Sequence, residues 1–476
     1  MGGFGVFMTD SQYFLRTIQS LLNAPKQGEH DPYRPVWHFA PRVGLLNDPN
    51  GVSFFNGEYH LFYQWNPLEC EHGAKAWGLA TSSDLIHWQH KPLALAPTED
   101  YEISGCYSGS AIEVDGKLEL FYTGNVKYPE GGRTAYQCRA QLDDQGTVTK
   151  LGPVLSLPDG YSGHVRDPKV WKHGNHYYMV LGAEDLQQRG VVILYRSTDL
   201  HQWEKCGDIY GTDINGKQDA NFMLECPDLF ALDGRDVMIT CPKTWIDIEG
   251  KATETFDVEV TLGELDYHQA IYNATDSRLM DHGFDFYAPQ TFEDNKGRRI
   301  LFGWMGKPDE FEPYQPTIEY GWIHQITCPR RLTILNGELL QQPVEELTTL
   351  RRNPQSGTCL STSLVGLSAE LLLQDIDGAT ITIELSDDLL LLVTPSSITT
   401  RRKNLKTGLW EDRAWKGKAS SLQLMRDHSC VEVFINDGKA VMTSRFFGQA
   451  SSSELQCGFR FESDKAVSYQ HWTLEV

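Results

Sequence analysis

A turn glycine followed by an aromatic or β-branched strand recurs five times between Gly57 and Gly297, and this repeat constrains the fold more than any other feature. The five glycines are Gly57, Gly116, Gly174, Gly234 and Gly297. Successive glycines are 59, 58, 60 and 63 residues apart. Three of them follow Asn or Asp, a pair that favours tight hairpin turns because both turn residues need positive φ. Five strand-rich units at a steady period predict an all-β fold, a five-bladed β-propeller with four-stranded blades. A β-sandwich with coincidental spacing is the alternative.

The repeat ends after Arg330, and the rest of the chain has a different pattern. Val344–Arg352 is typical of a short connecting helix, and the alternating runs at 379–385 and 430–435 are typical of strands in a β-sandwich. We therefore predict four segments. They are an N-terminal helical extension at 1–36, a five-bladed β-propeller at 37–343, a linker helix at 344–357 and a β-sandwich at 358–476.

The N-terminal segment predicts a short amphipathic helix. Thr9, Asp10 and Ser11 are typical of a helix start, and Leu15 and Leu21 belong to an apolar stripe at helical spacing. The stretch 1–8 is apolar but short and lacks basic residues, so we do not expect a secretory signal, and Met8 is an alternative start to Met1. No apolar run approaches the ~18 residues of a membrane span, so no membrane association is expected.

Composition narrows the possible partners. The formal net charge of -22 disfavours nucleic acid, because a phosphate backbone attracts a basic surface. Ten cysteines occur without a Cys-x-x-Cys pair, which indicates reduced thiols and a cytoplasmic protein. No P-loop or Gly-x-Ser-x-Gly motif is present, and we expect neither a metal nor an organic cofactor. The oligomeric state is left open.

Three acidic residues occupy the same phase of the repeat. Asp48 lies nine residues before Gly57, Asp167 seven before Gly174 and Glu225 nine before Gly234, each near a proline. The first strand of each propeller blade lines the central channel, so these residues should converge there from blades one, three and four. Mutual repulsion should raise the pKa of one of them. An ionised carboxylate beside a protonated acid is what glycoside hydrolysis requires. Any one motif alone is also an ordinary turn former.

Aromatic and amide side chains near these acids predict a sugar site, because sugars bind to aromatic faces together with hydrogen-bond donors. The candidate substrate-binding residues are Asn47, Gln64, Trp65, Asn66, Trp77, Tyr107, Ser108, Arg166 and Trp304.

At these residues the sequence resembles glycoside hydrolase family 32, the invertases and fructan hydrolases, and in particular its bacterial members that cleave sucrose 6-phosphate. The segments that carry the resemblance are 46–51, 105–110, 166–169, 225–228, 285–290, 303–306 and 431–436. The resemblance implies that Asp48 is the nucleophile, Glu225 the general acid/base and Asp167 the residue that holds fructose hydroxyls. It also implies a five-bladed propeller followed by a sandwich, and no cofactor. Four positions depart from the family pattern, Leu45, Leu46, Leu79 and Leu224, and they put fine specificity in doubt.

The sequence thus predicts a retaining β-fructofuranosidase that hydrolyses sucrose 6-phosphate, sucrose or both. Retention predicts nucleophile and acid about 5–5.5 Å apart, whereas an inverting, arabinanase-like enzyme would need about 6.5–9.5 Å. A non-catalytic sugar-binding propeller is the alternative outside the enzyme class. The loop 124–133 resembles the corresponding loop of the phosphate-specific members, which makes Lys127 and Arg133 candidate phosphate contacts, or else solvated surface charges.

Overall fold

The computed structural model describes residues 10–23, 31–73, 75–214, 221–248, 251–309, 311–448 and 457–476. The question of a start at Met1 or Met8 lies outside these residues. Antiparallel strands make up most of the described chain, in a five-bladed propeller followed by a β-sandwich, as the sequence predicts. No helix within these ranges is long and apolar enough to span a membrane.

The described residues of the propeller form 24 strands. In chain order they are β1 (Gly44–Phe55), β2 (Glu58–Asn66), β3 (Ala76–Ser82), β4 (Gln89–His90), β5 (Cys106–Val114), β6 (Lys117–Lys127), β7 (Arg133–Leu142), β8 (Val148–Leu155), β9 (Tyr161–His173), β10 (His176–Asp185), β11 (Gly190–Ser197), β12 (Glu204–Gly211), β13 (Met223–Leu232), β14 (Arg235–Lys243), β15 (Trp245–Ile248), β16 (Lys251–Glu254), β17 (Glu259–Asp266), β18 (Ile271–Leu279), β19 (Tyr287–Glu293), β20 (Arg299–Met305), β21 (Trp322–Ile323), β22 (Gln325–Ile326), β23 (Arg330–Leu335) and β24 (Glu338–Pro343).

Each blade is a four-stranded meander. Blades I, II and III are β1–β4, β5–β8 and β9–β12 in sequence order, blade IV is β13-β14-β17-β18, and blade V is β19-β20-β23-β24. The pair β15 and β16 forms a separate ribbon between β14 and β17. The ring closes where β21 pairs with β1 of blade I and β22 pairs with β20 of blade V.

The repeated glycines lie in the hairpin between the first and second strand of each blade. At Asp115-Gly116 both residues have positive φ, 52° and 75°, as the tight hairpin turn requires. The apolar side chains of neighbouring blades pack against each other in separate clusters, one between blades I and II, one between II and III and one between III and IV. The core of the propeller therefore lies between the blades and leaves the channel to polar groups.

The helix α1 (Asp10–Asn23) packs on the propeller through Tyr13, Thr17 and Leu21, so only part of the predicted apolar stripe faces the protein. Tyr13 and Thr17 are buried, and Tyr13 contacts a small cluster with Ala76. Leu15 of the predicted stripe is exposed. Residues four apart lie on one helix face, so a buried face through Tyr13 and Thr17 turns Leu15 outward. The short 3-10 helices are Asp100–Glu102, Glu312–Tyr314, Pro316–Tyr320 and Glu345–Leu350.

The C-terminal sandwich is organised around one long strand that belongs to both sheets. Its strands are β25 (Arg351–Val365), β26 (Ser368–Gln374), β27 (Ile381–Ser386), β28 (Leu389–Thr394), β29 (Ser397–Lys403), β30 (Trp410–Lys416), β31 (Ser421–Asp427), β32 (Cys430–Ile435), β33 (Ala440–Arg445) and β34 (Cys457–Leu474). The first part of β34 pairs with β27 and the last part with β26, while β25 pairs along its whole length. The sandwich has its own apolar core between the two sheets.

The linker differs from the prediction. The predicted linker helix at 344–357 is a 3-10 helix at Glu345–Leu350 only, and β25 begins at Arg351. Nearly every side chain of β25 is exposed, because the strand lies at an edge. Its sequence therefore lacks the alternation of apolar and polar residues by which a half-buried strand is detected.

A buried ionic network joins the propeller to the sandwich. Glu432 of β32 accepts hydrogen bonds from Arg330 at 2.6 Å and from the ring of His38 at 2.9 Å. Arg330 also contacts Asp281, and His38 contacts Asp427 at 3.1 Å. Burial opposes a charge on His38, but its contacts with the neighbouring acidic groups raise its pKa well above the usual value. The five side chains are at most 1% accessible to water, so each depends on its partners.

We predict that Glu432→Gln lowers the free energy of unfolding by about 3–5 kcal/mol, because it leaves Arg330 and His38 buried with one carboxylate fewer. Denaturant unfolding followed by tryptophan fluorescence measures the change. Asp412→Asn is the control, since Asp412 pairs with Arg401 on the surface and its loss should cost less than about 1 kcal/mol. Equal losses in the two variants would contradict the prediction.

Candidate active site

All five inner strands carry a β-bulge at the same height, and these bulges build the candidate site. The pairing of the first two strands shifts register after Leu46, Tyr107, Arg166, Glu225 and Tyr287. Asp167, Cys226 and Ala288 have positive φ of 63°, 48° and 45°. Bulges re-aim the side chains next to them, and positive φ is strained for residues other than glycine. A proline follows each of these three residues, where the ladder cannot use a backbone N–H.

The bulges surround one narrow cavity on the propeller axis. The cavity is lined by residues of all five inner strands, including Asp48, Ser108, Asp167, Cys226 and Gln290. Its volume of about 20 Å³ holds a water molecule rather than a sugar. It therefore forms the floor beneath the site.

Asp48 lies in blade I among uncharged donors. Its Oδ1 accepts a hydrogen bond from Asn47 at 3.0 Å, and its Oδ2 accepts one from the Ser108 hydroxyl. Gln64 bridges the two donors, accepting from Asn47 at 2.8 Å and donating to Ser108 at 2.7 Å. Burial raises the pKa of Asp48, and these donors oppose the rise. The arrangement holds both oxygens of the carboxylate in a fixed orientation.

Glu225 lies in blade IV between two cations. Its Oε1 accepts from Arg166 at 2.5 Å and lies 3.4 Å from the Lys243 ammonium, and its Oε2 accepts from the Tyr287 hydroxyl at 2.7 Å. Burial would raise its pKa, but Arg166 and Lys243 outweigh burial and lower the pKa to about 2. Glu225 is therefore ionised when no sugar is bound.

Of the three acids, Asp167 of blade III keeps its proton up to the highest pH. Burial raises its pKa to about 7, and the charges of Glu225 and Asp48 contribute to the rise against the opposing effect of Arg166. Its Oδ2 accepts the backbone N–H of Cys226 at 2.9 Å. The sequence predicts that one of the three acids has a raised pKa, and the structure assigns the largest resolved rise to Asp167 rather than to Glu225, the acid implied by the family resemblance.

Several predicted sugar-binding residues lie in the core instead. Trp77 is fully buried and donates to the carbonyl of Tyr107, and Trp65 is buried and donates to the carbonyl of Val43. Asn66 holds the turn after β2 by bonding the carbonyl of Glu71. Successive residues of a strand point to opposite faces, so Gln64 and Trp65 cannot both face the channel.

Other predicted residues do lie near the carboxylates. Ser108 donates a hydrogen bond to Asp48, and Arg166 donates one to Glu225. The Trp304 ring packs edge-on against Tyr287 with centroids 6.3 Å apart. Its indole N–H is buried without a hydrogen-bond partner.

The two candidate phosphate contacts form a cross-strand pair but have different surroundings. Arg133 turns inward, donating to Asn125 at 2.6 Å and to His164 at 3.0 Å. Arg166, which binds Glu225, donates to the same nitrogen of His164 at 2.9 Å. A single side chain, His164, therefore separates Arg133 from Arg166. Lys127 is exposed on the opposite strand.

The predicted set of site residues omits four residues, of which two carry a recognisable signal in the sequence. Tyr287 is visible by its phase in the fifth repeat, and His164 by its position two residues before Arg166. Lys243 and Lys75 lie on outer strands or loops, where no sequence pattern marks them. Among the residues that the structure describes, no three His, Cys, Asp or Glu side chains are placed to hold a metal ion.

Comparison with known proteins agrees with this geometry. The N-terminal domain of glycosyl hydrolases family 32 matches residues 38–343, and the family's C-terminal domain matches residues 380–474. The chain belongs to glycoside hydrolase family 32. It is accordingly a glycoside hydrolase, and neither a non-catalytic propeller nor an arabinanase-like enzyme is favoured.

Two relatives and one structure are especially similar. Sucrose-6-phosphate hydrolases of Klebsiella pneumoniae and Salmonella typhimurium are both 47% identical, over 90% and 96% of this chain and 92% and 98% of their own. The structure of sucrose-6-phosphate hydrolase from Lactobacillus gasseri superposes with a TM-score of 0.87 at 30% identity, covering 98% of each chain.

We predict that Asp167→Asn gains stability relative to the parent protein as the pH rises from about 4 to about 7. The folded parent retains a proton on Asp167 that the unfolded chain releases over this range, so the parent loses stability as the pH rises, whereas the amide does not titrate. Unfolding midpoints measured from pH 2 to 8 show the difference.

Asp84→Asn is the control of opposite sign. His87 and the neighbouring backbone N–H groups outweigh burial and lower the pKa of Asp84 to about 2, so this carboxylate stabilises the fold above about pH 4 and its contribution is lost as the pH falls toward 2. A constant difference between Asp167→Asn and the parent across the range would contradict the assignment.

Proposed function

We propose that this family 32 enzyme hydrolyses the β-fructofuranosyl bond of sucrose 6-phosphate by a retaining mechanism, and that it acts on sucrose less well. The observation that carries the proposal is the placement of Asp48, Asp167 and Glu225 on equivalent bulges around one channel. The names of the relatives support the phosphorylated substrate. The nine cysteines whose side chains the structure describes form no disulfide, which supports a reducing, cytoplasmic location where the enzyme would encounter a sugar phosphate.

In the proposed reaction Asp48 is the nucleophile and Glu225 the acid. A carboxylate oxygen of Asp48 attacks the anomeric carbon of the fructosyl group while the bond to the glucosyl oxygen breaks, and Glu225 gives its proton to that oxygen. Glucose 6-phosphate leaves. Glu225 then takes a proton from water, whose oxygen attacks the same carbon and releases fructose and ionised Asp48. Asp167 and Arg166 hold fructose hydroxyls throughout.

The low pKa of Glu225 demands an explanation, because an acid must carry a proton. Arg166 and Lys243 lower that pKa, and a phosphate dianion bound beside them would offset their charge. Arg133 is placed for this, since through His164 it is linked to Arg166. In this proposal the phosphate of the substrate raises the pKa of the acid, so it improves both binding and proton transfer.

We predict that Asp48→Asn and Glu225→Gln lose sucrose 6-phosphate hydrolysis by at least roughly 10³-fold, with different behaviour on a fructoside that has a good leaving group. Such a leaving group needs no proton, so Glu225→Gln should form the fructosyl-enzyme from it and release an initial burst of product. Asp48→Asn should not, because an amide does not attack. Rapid-quench kinetics distinguish the two variants, and a burst from Asp48→Asn would overturn the assignment.

We predict that Arg133→Ala lowers kcat/KM for sucrose 6-phosphate by roughly 10- to 100-fold and leaves kcat/KM for sucrose nearly unchanged, because a charge-assisted hydrogen bond contributes about 1.5–3 kcal/mol. Lys127→Ala is the matched control. Its exposed charge acts through solvent, so its loss should cost less than roughly fivefold. Equal losses on both substrates would remove Arg133 from the phosphate site. A parent enzyme that prefers sucrose would overturn the proposed substrate.

A further inference from the structure

Lys75 is a buried lysine next to the candidate nucleophile, and the mechanism above gives it no role. It directly precedes β3 in blade I, and only 4% of its surface is exposed. Within the described part of the chain, no carboxylate lies within 4.0 Å of its ammonium group. Fully buried lysines without a direct ion pair are uncommon, because removing the charge from water is costly. Such a residue requires an explanation.

The contact of Lys75 fixes the direction of a chain of hydrogen bonds. Its ammonium donates to Oδ1 of Asn47 at 2.8 Å. An ammonium can only donate, so the oxygen of Asn47 must face Lys75 and its NH₂ group must face Asp48 and Gln64. The oxygen of Gln64 is thereby used as an acceptor, and its NH₂ group is directed at Ser108.

The last donor of this chain is then determined as well. The Ser108 oxygen accepts from Gln64, so its hydroxyl hydrogen is free for Oδ2 of Asp48. Both oxygens of Asp48 consequently receive a hydrogen bond. Without Lys75 both amides can rotate by 180°. Rotation of Asn47 would point its oxygen at Asp48, and rotation of Gln64 would point its oxygen at Ser108 and compete with Asp48 for the hydroxyl hydrogen.

Lys75 also supplies a positive charge that acts on Asp48. Its charge lowers the pKa of Asp48, while burial raises it. Burial lowers the pKa of Lys75 to about 7, and the charges of Glu312 and Asp48 oppose this effect. Glu312 is in turn bound by His72 and His324 at 3.0 and 2.7 Å. Asp48 and Glu312 are thus titratable groups that act on Lys75, and His72 and His324 are the partners of Glu312.

We infer that Lys75 is a positioning residue for the nucleophile: through Asn47 it orients both donors to Asp48, and its charge keeps Asp48 ionised. This inference rests on the proposed role of Asp48. Lys75 touches neither the sugar nor the reacting atoms, so it acts only through Asn47 and through its field.

The test is a double-mutant cycle between Lys75→Met and Asn47→Ala, with pH profiles of kcat/KM on sucrose 6-phosphate. Lys75→Met should lower kcat by at least roughly tenfold and move the acid limb to higher pH, because Asp48 is then harder to ionise. In the Asn47→Ala background, Lys75→Met should lower kcat/KM by a smaller factor than it does in the parent enzyme, since the chain of oriented hydrogen bonds is already broken. Lys75→Arg should restore the acid limb, and Lys75→Gln should restore kcat in part without restoring the limb.

Lys150→Met is the matched control, because Lys150 is a part-buried lysine bound to Glu102 away from the channel. It should lower the unfolding midpoint and leave the acid limb in place. If Lys75→Met folds with an unchanged limb, or if its effect adds fully to that of Asn47→Ala, Lys75 is only structural. If Lys75→Met does not fold, an acid limb in Lys75→Gln that matches the parent overturns the inference. Full activity of Asp48→Asn would instead overturn the proposed function.

Discussion

The mutual proximity of three buried carboxyl groups is the constraint on which the rest of the site depends. Charges of like sign taken out of water repel strongly, and each group must be neutralised or compensated. The structure does this in three ways. Asp48 receives uncharged donors, Glu225 receives two cations and a phenol, and Asp167 holds a proton to about pH 7. Equivalent positions of one repeat thus acquire different protonation states, and before a sugar binds it is Asp167, not the proposed acid Glu225, that holds the proton.

The periodicity of the sequence predicts part of this arrangement. The turn glycines predict the five blades, and the phase of Asp48, Asp167 and Glu225 predicts that they meet. The bulges are invisible to periodicity, because a bulge adds one residue and leaves the next hairpin in place. They decide which neighbours of the carboxylates face the channel. The predicted sugar contacts Trp65 and Trp77 lie outside the bulged strands, on β2 and β3, and their rings lie in the core.

Side-chain direction limits prediction elsewhere too. Lys127 and Arg133 are directly opposed on neighbouring strands and look equivalent in sequence, yet only Arg133 finds inward partners in Asn125 and His164. The strand β25 escapes detection for a related reason. Its exposed edge position removes the apolar alternation, while its backbone still pairs with the whole of β34. In both cases tertiary contacts decide what local sequence leaves undetermined.

The distribution of charge also links the two steps of the proposed reaction. Asp48 carries a negative charge before attack and loses it when the ester to the fructosyl group forms. The negative charge of Asp48 favours protonation of Glu225 in the first step, and its loss favours ionised Glu225 in the second, when a base is needed. Departure of glucose 6-phosphate acts in the same direction, since the charges of Arg166 and Lys243 then act on Glu225 without the opposing charge of the phosphate. The acid therefore becomes a base through the chemistry itself, without any movement of the propeller that holds it.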